Sequence, residues 1–522
     1  MPLSPPAALT GDFDVCVIGA GPAGLACAFD LHDRGQRVLL LEAGGENPVP
    51  GEPDVRAAEL LHPAYHDPLD IVAASALGGS THWWGGRSLP FDPVDFRHWP
   101  LSYADMLPWW DKAAAFLGSR SVSESEPPPA FAKLHAFDAV RDECWGPELN
   151  MGRRWRARIR AADGPAIVLG ARCVGLEHDN ARVSAVRVRN GGGELRVRAR
   201  HVVLACGGLG VLKLLLLLQR DAPALFSDAP LGVGYMGHLT GTVATLEPSE
   251  PNDVAAFACR PVGDGVFARR RLRPTPDTVT RENLVNIAFW LENGDTNNPE
   301  HGSASASARY LATRLARFGR GGEPLGPHIA NVARAPWSAA TGLAGAVYLL
   351  AAARLAGRHP RATTLTPARA GQWRLDYHAE QPRHDDNRIT LADTHDSVGL
   401  PKLKIDFRMQ DQEIEGVVHA HALLDADLRA AGAGRLHLHG THDECVARVR
   451  AAARDGYHQL GGAIMGEDPR TSVVTTDLRV HGLSNLWAAS GSVFPSGGQA
   501  NPTLTIVALA RRLAAHLAAR SA

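Results

Sequence analysis

The stretch DVCVIGAGPAGLACAFDLHDRGQRVLLLEAGG, residues 14–45, constrains the fold more than any other part of the chain. Val15 to Ile18 form a short apolar run, and Gly19, Gly21 and Gly24 follow in G-x-G-x-x-G spacing. Leu25 to Leu31 then read as a helix, and a second apolar run, Val38 to Leu41, ends on Glu42. Strand, glycine turn, helix, strand and terminal acid in that order make a dinucleotide-binding βαβ unit. The first glycine makes the tight turn, the second lets backbone approach a pyrophosphate, and the third lets the helix pack on the strand. The helix N-terminus faces the phosphates, where its unpaired amides and dipole favour negative charge. Glu42 is placed to accept hydrogen bonds from ribose hydroxyls. Ala43-Gly44-Gly45 follows it, without the arginine that an NADP enzyme needs.

A single βαβ unit accounts for a small part of 522 residues, and a chain of that length predicts two domains. After residue 45 the chain leaves on a long excursion and returns to strand-like apolar segments at 166–169 and 201–205. The second return, RARHVVLACGGLGVLKLLLLL, is again strand, glycines, helix. An interrupted return to one sheet favours an FAD arrangement over a one-domain NAD enzyme. The expected fold is therefore α/β, with a Rossmann-type cofactor domain assembled from 1–100, 165–245 and 451–522. A second, α+β substrate-binding domain is expected from 101–164 and 246–450.

Composition excludes several partners. The formal charge is -1, from 54 basic and 55 acidic side chains, so there is no electrostatic case for nucleic acid or an anionic membrane. Seven scattered cysteines without a Cys-x-x-Cys pair predict reduced thiols in a cytoplasmic setting rather than disulfides or zinc. MPLSPPAALTGDFD lacks the basic and apolar regions of a secretion signal. The stretch 335–353, APWSAATGLAGAVYLLAAA, approaches spanning length but is rich in small and hydroxyl residues; it predicts a buried or substrate-lining helix, with interfacial docking as the alternative, and not a transmembrane one.

Near the other end of the chain, YHQLGGAIMG at 457–466 spends several glycines around one histidine, which is unusual in a packed core. From residue 12 to 517 the chain resembles the glucose–methanol–choline oxidoreductase family, with motifs in family order. GGSTHWWGG at 78–86 is similar to the flavin segment, and ARHVVLACGG to the strand closing the FAD sheet. GVGYMGHL at 232–239 resembles the turn leading to the substrate domain, and the region from AEQPRHDDNRITLAD at 379 resembles its hairpin. YHQLGGAIMG through GSVFPSGGQANPTLTIVALARRLAAHL is the longest match.

The resemblance implies bound FAD and oxidation of an alcohol to an aldehyde or ketone by hydride transfer to flavin N5. Its active-site pair falls on His458 and on Asn501 of GGQANPT, the His–Asn form of the pyranose, choline and cholesterol oxidising branches. The implied FAD contacts are Gly19, Gly21, Pro22, Ala23, Gly24, Glu42, Ala43, Gly78, Gly79, Ser80, His82, Trp84, Gly85, Cys173, Val174, Gly207, Gly491, Ser492, Asn501, Pro502 and Thr503. The chemistry suits the residues: a neutral imidazole accepts a hydroxyl proton near pH 7, and an Asn amide orients the same oxygen. Glycines at 461, 462, 466, 497 and 498 would let backbone approach the isoalloxazine. In two places the chain departs from the family pattern. Trp84 stands where Asn is common, and Ser490 replaces a common Asp. His82 lies one residue short of the slot at which one branch attaches flavin covalently; Trp83 occupies that slot, so dissociable FAD is expected.

Other features read as structural. His437, His439 and His442 in RLHLHGTHDE lack a completing set of metal ligands and predict a polar loop; no metal site is expected. The runs RRWRARIR (153–160) and ARRRLRP (268–274) predict solvated faces. Trp109, Trp110, Trp337 and Trp373 are candidates for stacking on a sugar ring. WGGRSLPFDPVDF with GGQANPTLTI is most similar to bacterial members acting on sugars, aminosugars or polyol-like natural products. A sterol or other apolar alcohol is the alternative if the 335–353 helix lines the pocket. Outside this class stand a flavin-binding protein without turnover and an NAD-dependent reductase. The electron acceptor, oxygen or another, is not legible.

Overall fold

The computed structural model describes residues 9–49, 58–121, 123–191, 193–226, 228–316, 324–356 and 363–521. Five strands run parallel in the order Leu486–Ala488, Ala199–Leu204, Phe13–Ile18, Val38–Leu41, Ala166–Val168. Val17 pairs with Val203 on one side and Leu40 on the other. Val15 to Ile18 and Val38 to Leu41 are fully buried, as a parallel sheet covered on both faces requires. The last helix, Thr503–Ser521, packs across Pro22–His32 and Tyr103–Leu117.

The glycine turn divides its labour. Gly19 sits at φ +106°, and a Cβ there would lie 2.6 Å from the Ala205 carbonyl oxygen. A Cβ on Gly24 would lie 1.8 Å from the Gly19 carbonyl oxygen. These two positions press helix against strand. Gly21 is open, its nearest atom for a Cβ being the Gly79 Cα at 4.0 Å.

A second sheet is antiparallel, in the order Ile287–Glu292, Trp373–Glu380, His238–Pro248, Gly434–Leu438. The strand His238–Pro248 runs through position 245, the expected edge of the cofactor domain, without a break.

Several expectations from composition fail for physical reasons. The run at 268–274 is no solvated face: Arg269, Arg270, Arg271 and Arg273 are buried. Arg269 pairs with buried Glu143 and, at 3.0 Å, with Glu292. Arg87 and Arg271 stand 3.8 and 3.9 Å from the other Glu143 oxygen. Arg273 pairs with Asp92 and, at 3.1 Å, with Asp138. The run at 153–160 is mixed. Arg153 is exposed beside Glu148, whereas Arg154 donates to the Phe116 carbonyl at 2.9 Å.

The helix expected from 335–353 exists, as Pro336–Ala356, but it exposes Trp337, Val347 and Tyr348. It packs through Ala339 on Ala304 and Ala308 of the helix Ala304–Ala316. No helix among the described residues is long and apolar enough to cross a membrane. His437 lies on the strand Gly434–Leu438 rather than in a loop and contacts Glu247 at 2.5 Å, while His442 opens the next helix beside Glu415 at 3.0 Å. No disulfide occurs among the described residues.

Gly24→Val forces a side chain into the Gly19 carbonyl, and overpacking of this kind costs roughly 1–3 kcal/mol; the urea midpoint should fall accordingly, and an unchanged midpoint would refute the packing role. Glu143→Gln leaves three guanidiniums without their shared carboxylate, a loss of roughly 3–5 kcal/mol. Burial acts to raise the Glu143 pKa, but the charges of Arg269, Arg87 and Arg271 outweigh it and hold it at about 2. A depressed carboxylate stabilises above its unfolded pKa and loses that effect as pH falls through the folded value. The gap in urea midpoint between wild type and variant should therefore be full above about pH 5 and narrow progressively towards pH 2.

Candidate active site

A cavity of about 1420 Å³ opens against the glycine turn. Its wall includes Gly19, Gly21, Pro22 and Ala23, with Glu42 and Ala43 behind them. The buried Glu42 carboxylate accepts the Ala20 amide at 2.8 Å and the Gly44 amide at 2.9 Å, which fixes its position at the end of the second strand. Gly79, Ser80, His82, Trp84 and Gly85 form another part of the wall. There His82 Nε2 donates to the Leu77 carbonyl at 3.1 Å and Trp84 Nε1 to the Leu149 carbonyl at 2.9 Å. Cys173, Gly207, Gly491, Asn501, Pro502 and Thr503 complete the set of expected residues that reach the cavity.

Four expected contacts do not line it. Gly24 is spent on packing, as described. Gly78 sits at φ +98° and donates to the Ala20 carbonyl at 2.8 Å, so it shapes the turn from behind. Val174 is core. Ser492 donates its amide to Ser490 Oγ at 3.2 Å, leaving Ser490 on the wall instead. The glycines at 461, 462, 466, 497 and 498 also lie off the wall. They admit protein neighbours: a Cβ on Gly461 would lie 2.2 Å from the Gly234 carbonyl oxygen, and one on Gly498 2.6 Å from the Asp95 carboxylate. None of Trp109, Trp110, Trp337 and Trp373 reaches the cavity; Trp83, Trp84 and Trp290 do. Trp290 is enclosed by the guanidiniums of Arg87, Arg269 and Arg271, at 4.5, 5.0 and 5.1 Å from its ring centre. At such distances a buried cation is attracted by the ring face.

His458 and Asn501, 43 residues apart, meet on the same cavity wall: His458 Nε2 lies 3.2 Å from Asn501 Nδ2. Gly456 and Tyr457 both adopt φ of +64°, and this left-handed turn aims the His458 side chain inward. Strain of this kind in a non-glycine residue persists only where the surroundings impose it. The Asp455 carbonyl accepts the amides of both His458 (3.2 Å) and His238 (3.0 Å), tying two distant segments together. Asn501 Oδ1 is buried with no hydrogen-bond partner among the described residues.

Two further imidazoles were missed from sequence. His238 Nδ1 lies 2.9 Å from His458 Nδ1, and its Nε2 donates to the Gly498 carbonyl at 3.0 Å. His378, from the middle of the antiparallel sheet, stacks on His238 with ring centres 4.3 Å apart and donates Nδ1 to the Gln499 carbonyl at 2.7 Å. His238 was visible only as the end of the GVGYMGHL turn, and nothing in the sequence marked His378. Nitrogen atoms of the three rings come within 4.8 Å of one another. The 2.9 Å contact is a hydrogen bond. Two nitrogens on one tetrahedral zinc, at 2.0–2.1 Å each, stand about 3.3 Å apart. Burial pushes all three pKa values down, that of His238 to about 4, and the positive charges of Arg271 and Arg87 add to the effect at His378 and His458 respectively. All three are neutral at pH 7.

The residues fit FAD. Gly21 leaves the space at the helix N-terminus that a pyrophosphate needs, where the dipole favours anions, and Glu42 retains acceptor capacity for ribose hydroxyls. Asn501 lines the same cavity, and its buried amide oxygen has no hydrogen-bond partner among the described residues.

Comparison with known proteins agrees. A family model described as FAD dependent oxidoreductase matches residues 14–318, more than half of the chain, and one described as GMC oxidoreductase matches 382–510. The chain is 25% identical to 6'''-hydroxyparomomycin C oxidase of Streptomyces lividus, over 97% of this chain and 92% of that one. It is likewise 25% identical to paromamine 6'-oxidase of Streptomyces fradiae (96% and 90%), and 24% identical to 2-methyl-1,2-propanediol dehydrogenase of Mycolicibacterium austroafricanum (97% and 95%). In fold it is similar to the crystal structure of a formate oxidase, with a TM-score of 0.56, 16% identity and 98% of each chain covered. A pyridoxine 4-oxidase structure is similar too, at a TM-score of 0.53 and 16% identity, covering 97% and 99%. The chain belongs to the FAD-dependent oxidoreductases, of the glucose–methanol–choline kind, and is an enzyme that oxidises alcohols with FAD as its cofactor.

Proposed function

We propose that this enzyme oxidises a hydroxyl group of a sugar, aminosugar or similar polyol-like compound, with His458 as the base and Asn501 as the group that orients the reacting oxygen. The observation that carries the reading is the 3.2 Å approach of these two side chains on the wall of the cavity that the dinucleotide turn also lines. Bound FAD supplies the hydride acceptor. His458, neutral at pH 7, takes the hydroxyl proton on Nε2 as the carbonyl forms. The Asn501 amide donates to the same oxygen and stabilises its developing negative charge.

The substrate class rests on the relatives and on the wall. Two relatives act, by their names, on aminoglycosides and a third on a small diol. Arg87, Arg374, Asp376 and Tyr457 line the cavity and offer polar groups to a hydroxylated ligand. No described side chain of the helix Pro336–Ala356 lines the cavity, which weighs against the apolar-alcohol alternative. We assign the flavin contacts to the wall residues named above, with the parallel-sheet unit holding FAD and the antiparallel sheet facing the substrate. Reduced thiols support a cytoplasmic setting.

His458→Ala should slow anaerobic bleaching of the flavin by alcohol roughly 10²–10⁴-fold. Stopped-flow absorbance with a panel of sugars, aminosugars, diols and a sterol reads both the base and the substrate class. Bleaching at the wild-type rate in the variant would remove the base assignment, and bleaching by the sterol alone would overturn the polar reading. No bleaching by any alcohol would favour a flavin-binding protein without turnover. Readmitted air, with peroxide assayed, then separates oxidase from dehydrogenase.

A further inference from the structure

We infer that His238 is a positioning residue that sets the tautomer of His458, so that the unprotonated Nε2 of His458 faces the substrate. The inference deepens the proposed role of His458 and rests on it.

The argument follows the protons. A backbone carbonyl can only accept, so the 3.0 Å contact of His238 Nε2 with Gly498 O places a hydrogen on that nitrogen. His238 is fully buried and neutral, so its Nδ1 carries a lone pair and no hydrogen. The 2.9 Å contact between the two Nδ1 atoms therefore has one possible donor, His458 Nδ1–H. His458, neutral as well, is left with a bare Nε2. The position of Asn501 agrees: its Nδ2 stands 3.2 Å from that nitrogen as an N–H donor to its lone pair, a place that the substrate hydroxyl takes when it binds between the two.

The device is held from outside. Ser496 Oγ donates to the Asp95 carbonyl at 3.0 Å and Gln499 Nε2 to Asp92 Oδ2 at 2.9 Å, so the loop carrying both carbonyls cannot turn freely. The Gln499 carbonyl takes the Nδ1–H of His378 at 2.7 Å, and the His378 ring lies flat on His238. His238 is thus clamped from below by its stack, at one nitrogen by Gly498, and at its backbone by Asp455. In the reaction, the substrate hydroxyl proton bonds to His458 Nε2 and the O–H bond breaks. The resulting imidazolium keeps its Nδ1–H bond to His238, now strengthened by charge. The hydride leaves the same carbon for FAD, which balances the oxidation.

The test uses the FAD-loaded enzyme with ¹⁵N-labelled histidine. In the wild type, the His458 signals, assigned by their loss in His458→Ala, should show a protonated Nδ1 and a bare Nε2. His238→Phe keeps a ring to stack on His378 but removes the acceptor. It should shift His458 towards the Nε2–H form and slow anaerobic flavin reduction roughly 10²-fold, within the range for loss of base catalysis, with little change in the substrate concentration giving half-maximal rate. His238→Asn returns an acceptor oxygen near the Nδ1 position and should restore most of the rate. A wild-type His458 carrying hydrogen on Nε2 would overturn the inference without any variant, as would His238→Phe reducing its flavin at the wild-type rate. If His458→Ala is slow while His238→Phe is normal, the positioning role fails and the base stands; if His458→Ala is itself normal, the proposed function fails. Wild-type activity abolished by chelator and restored by zinc would replace the hydrogen-bonded pair with a metal site.

Discussion

Two successive backbone carbonyls, those of Gly498 and Gln499, each receive an imidazole N–H, and two residues later the Asn501 amide meets a third ring. A segment of four residues thus touches His238, His378 and His458. Such contacts are specific because a carbonyl has no alternative role: it dictates which ring nitrogen carries hydrogen. Side-chain hydroxyls in the same place would leave the tautomers free to exchange. The loop is in turn fixed by Asp92 and by the backbone at Asp95, which belong to the segment following the flavin-like GGSTHWWGG stretch. The order of the active site is therefore set by main chain, and that main chain is held by the buried Asp92 carboxylate and the Asp95 carbonyl.

The rest of the cavity follows from sheet topology. Ile18, Leu41, Leu204 and Ala488 each end or nearly end a parallel strand, and the residues just beyond them (Gly19, Glu42, Gly207 and Gly491) all reach the cavity. In open α/β sheets, ligands bind outside the carboxyl ends of the strands, where loops diverge and helix N-termini converge. The final helix, starting at Thr503, brings its own N-terminus to the same wall directly after Asn501. One short stretch consequently serves both the cofactor side of the cavity and its chemistry.

The parts of this arrangement that were legible in the sequence were those whose cause is local. The glycine spacing at 19–24 and the strand runs at 15–18 and 38–41 reflect contacts within thirty residues, and the structure places them as the spacing implied. The approach of His458 to Asn501 was legible only through likeness to a family, since nothing in 43 intervening residues says that the ends meet. His238 and His378 were illegible because each sits in an ordinary strand pattern and gains its meaning from partners more than a hundred residues away. The arginines at 269–273 were misread for the same reason: a run of like charge looks solvated until its acids appear at 92, 138, 143 and 292. Apolar composition likewise announced the helix at 336–356 but not that much of its surface meets solvent.

Those buried arginines bear on the chemistry through their field. Burial is the main influence against a charged His458, and Arg87, which lies on the cavity wall and shares Glu143 with Arg269 and Arg271, adds to it. A base held unprotonated is always ready to accept, but its lowered proton affinity makes it a weaker acceptor at the moment of transfer. The same positive field favours the negative charge that develops on the substrate oxygen, so what is lost at the imidazole is offset at the alkoxide. The lone pair of His238 works at the other nitrogen and in the opposite sense, because its hydrogen bond is stronger to the imidazolium than to the neutral ring. Both influences act on one protonation equilibrium: burial and the guanidinium disfavour the imidazolium, and the hydrogen bond to the neighbouring imidazole offsets part of that cost.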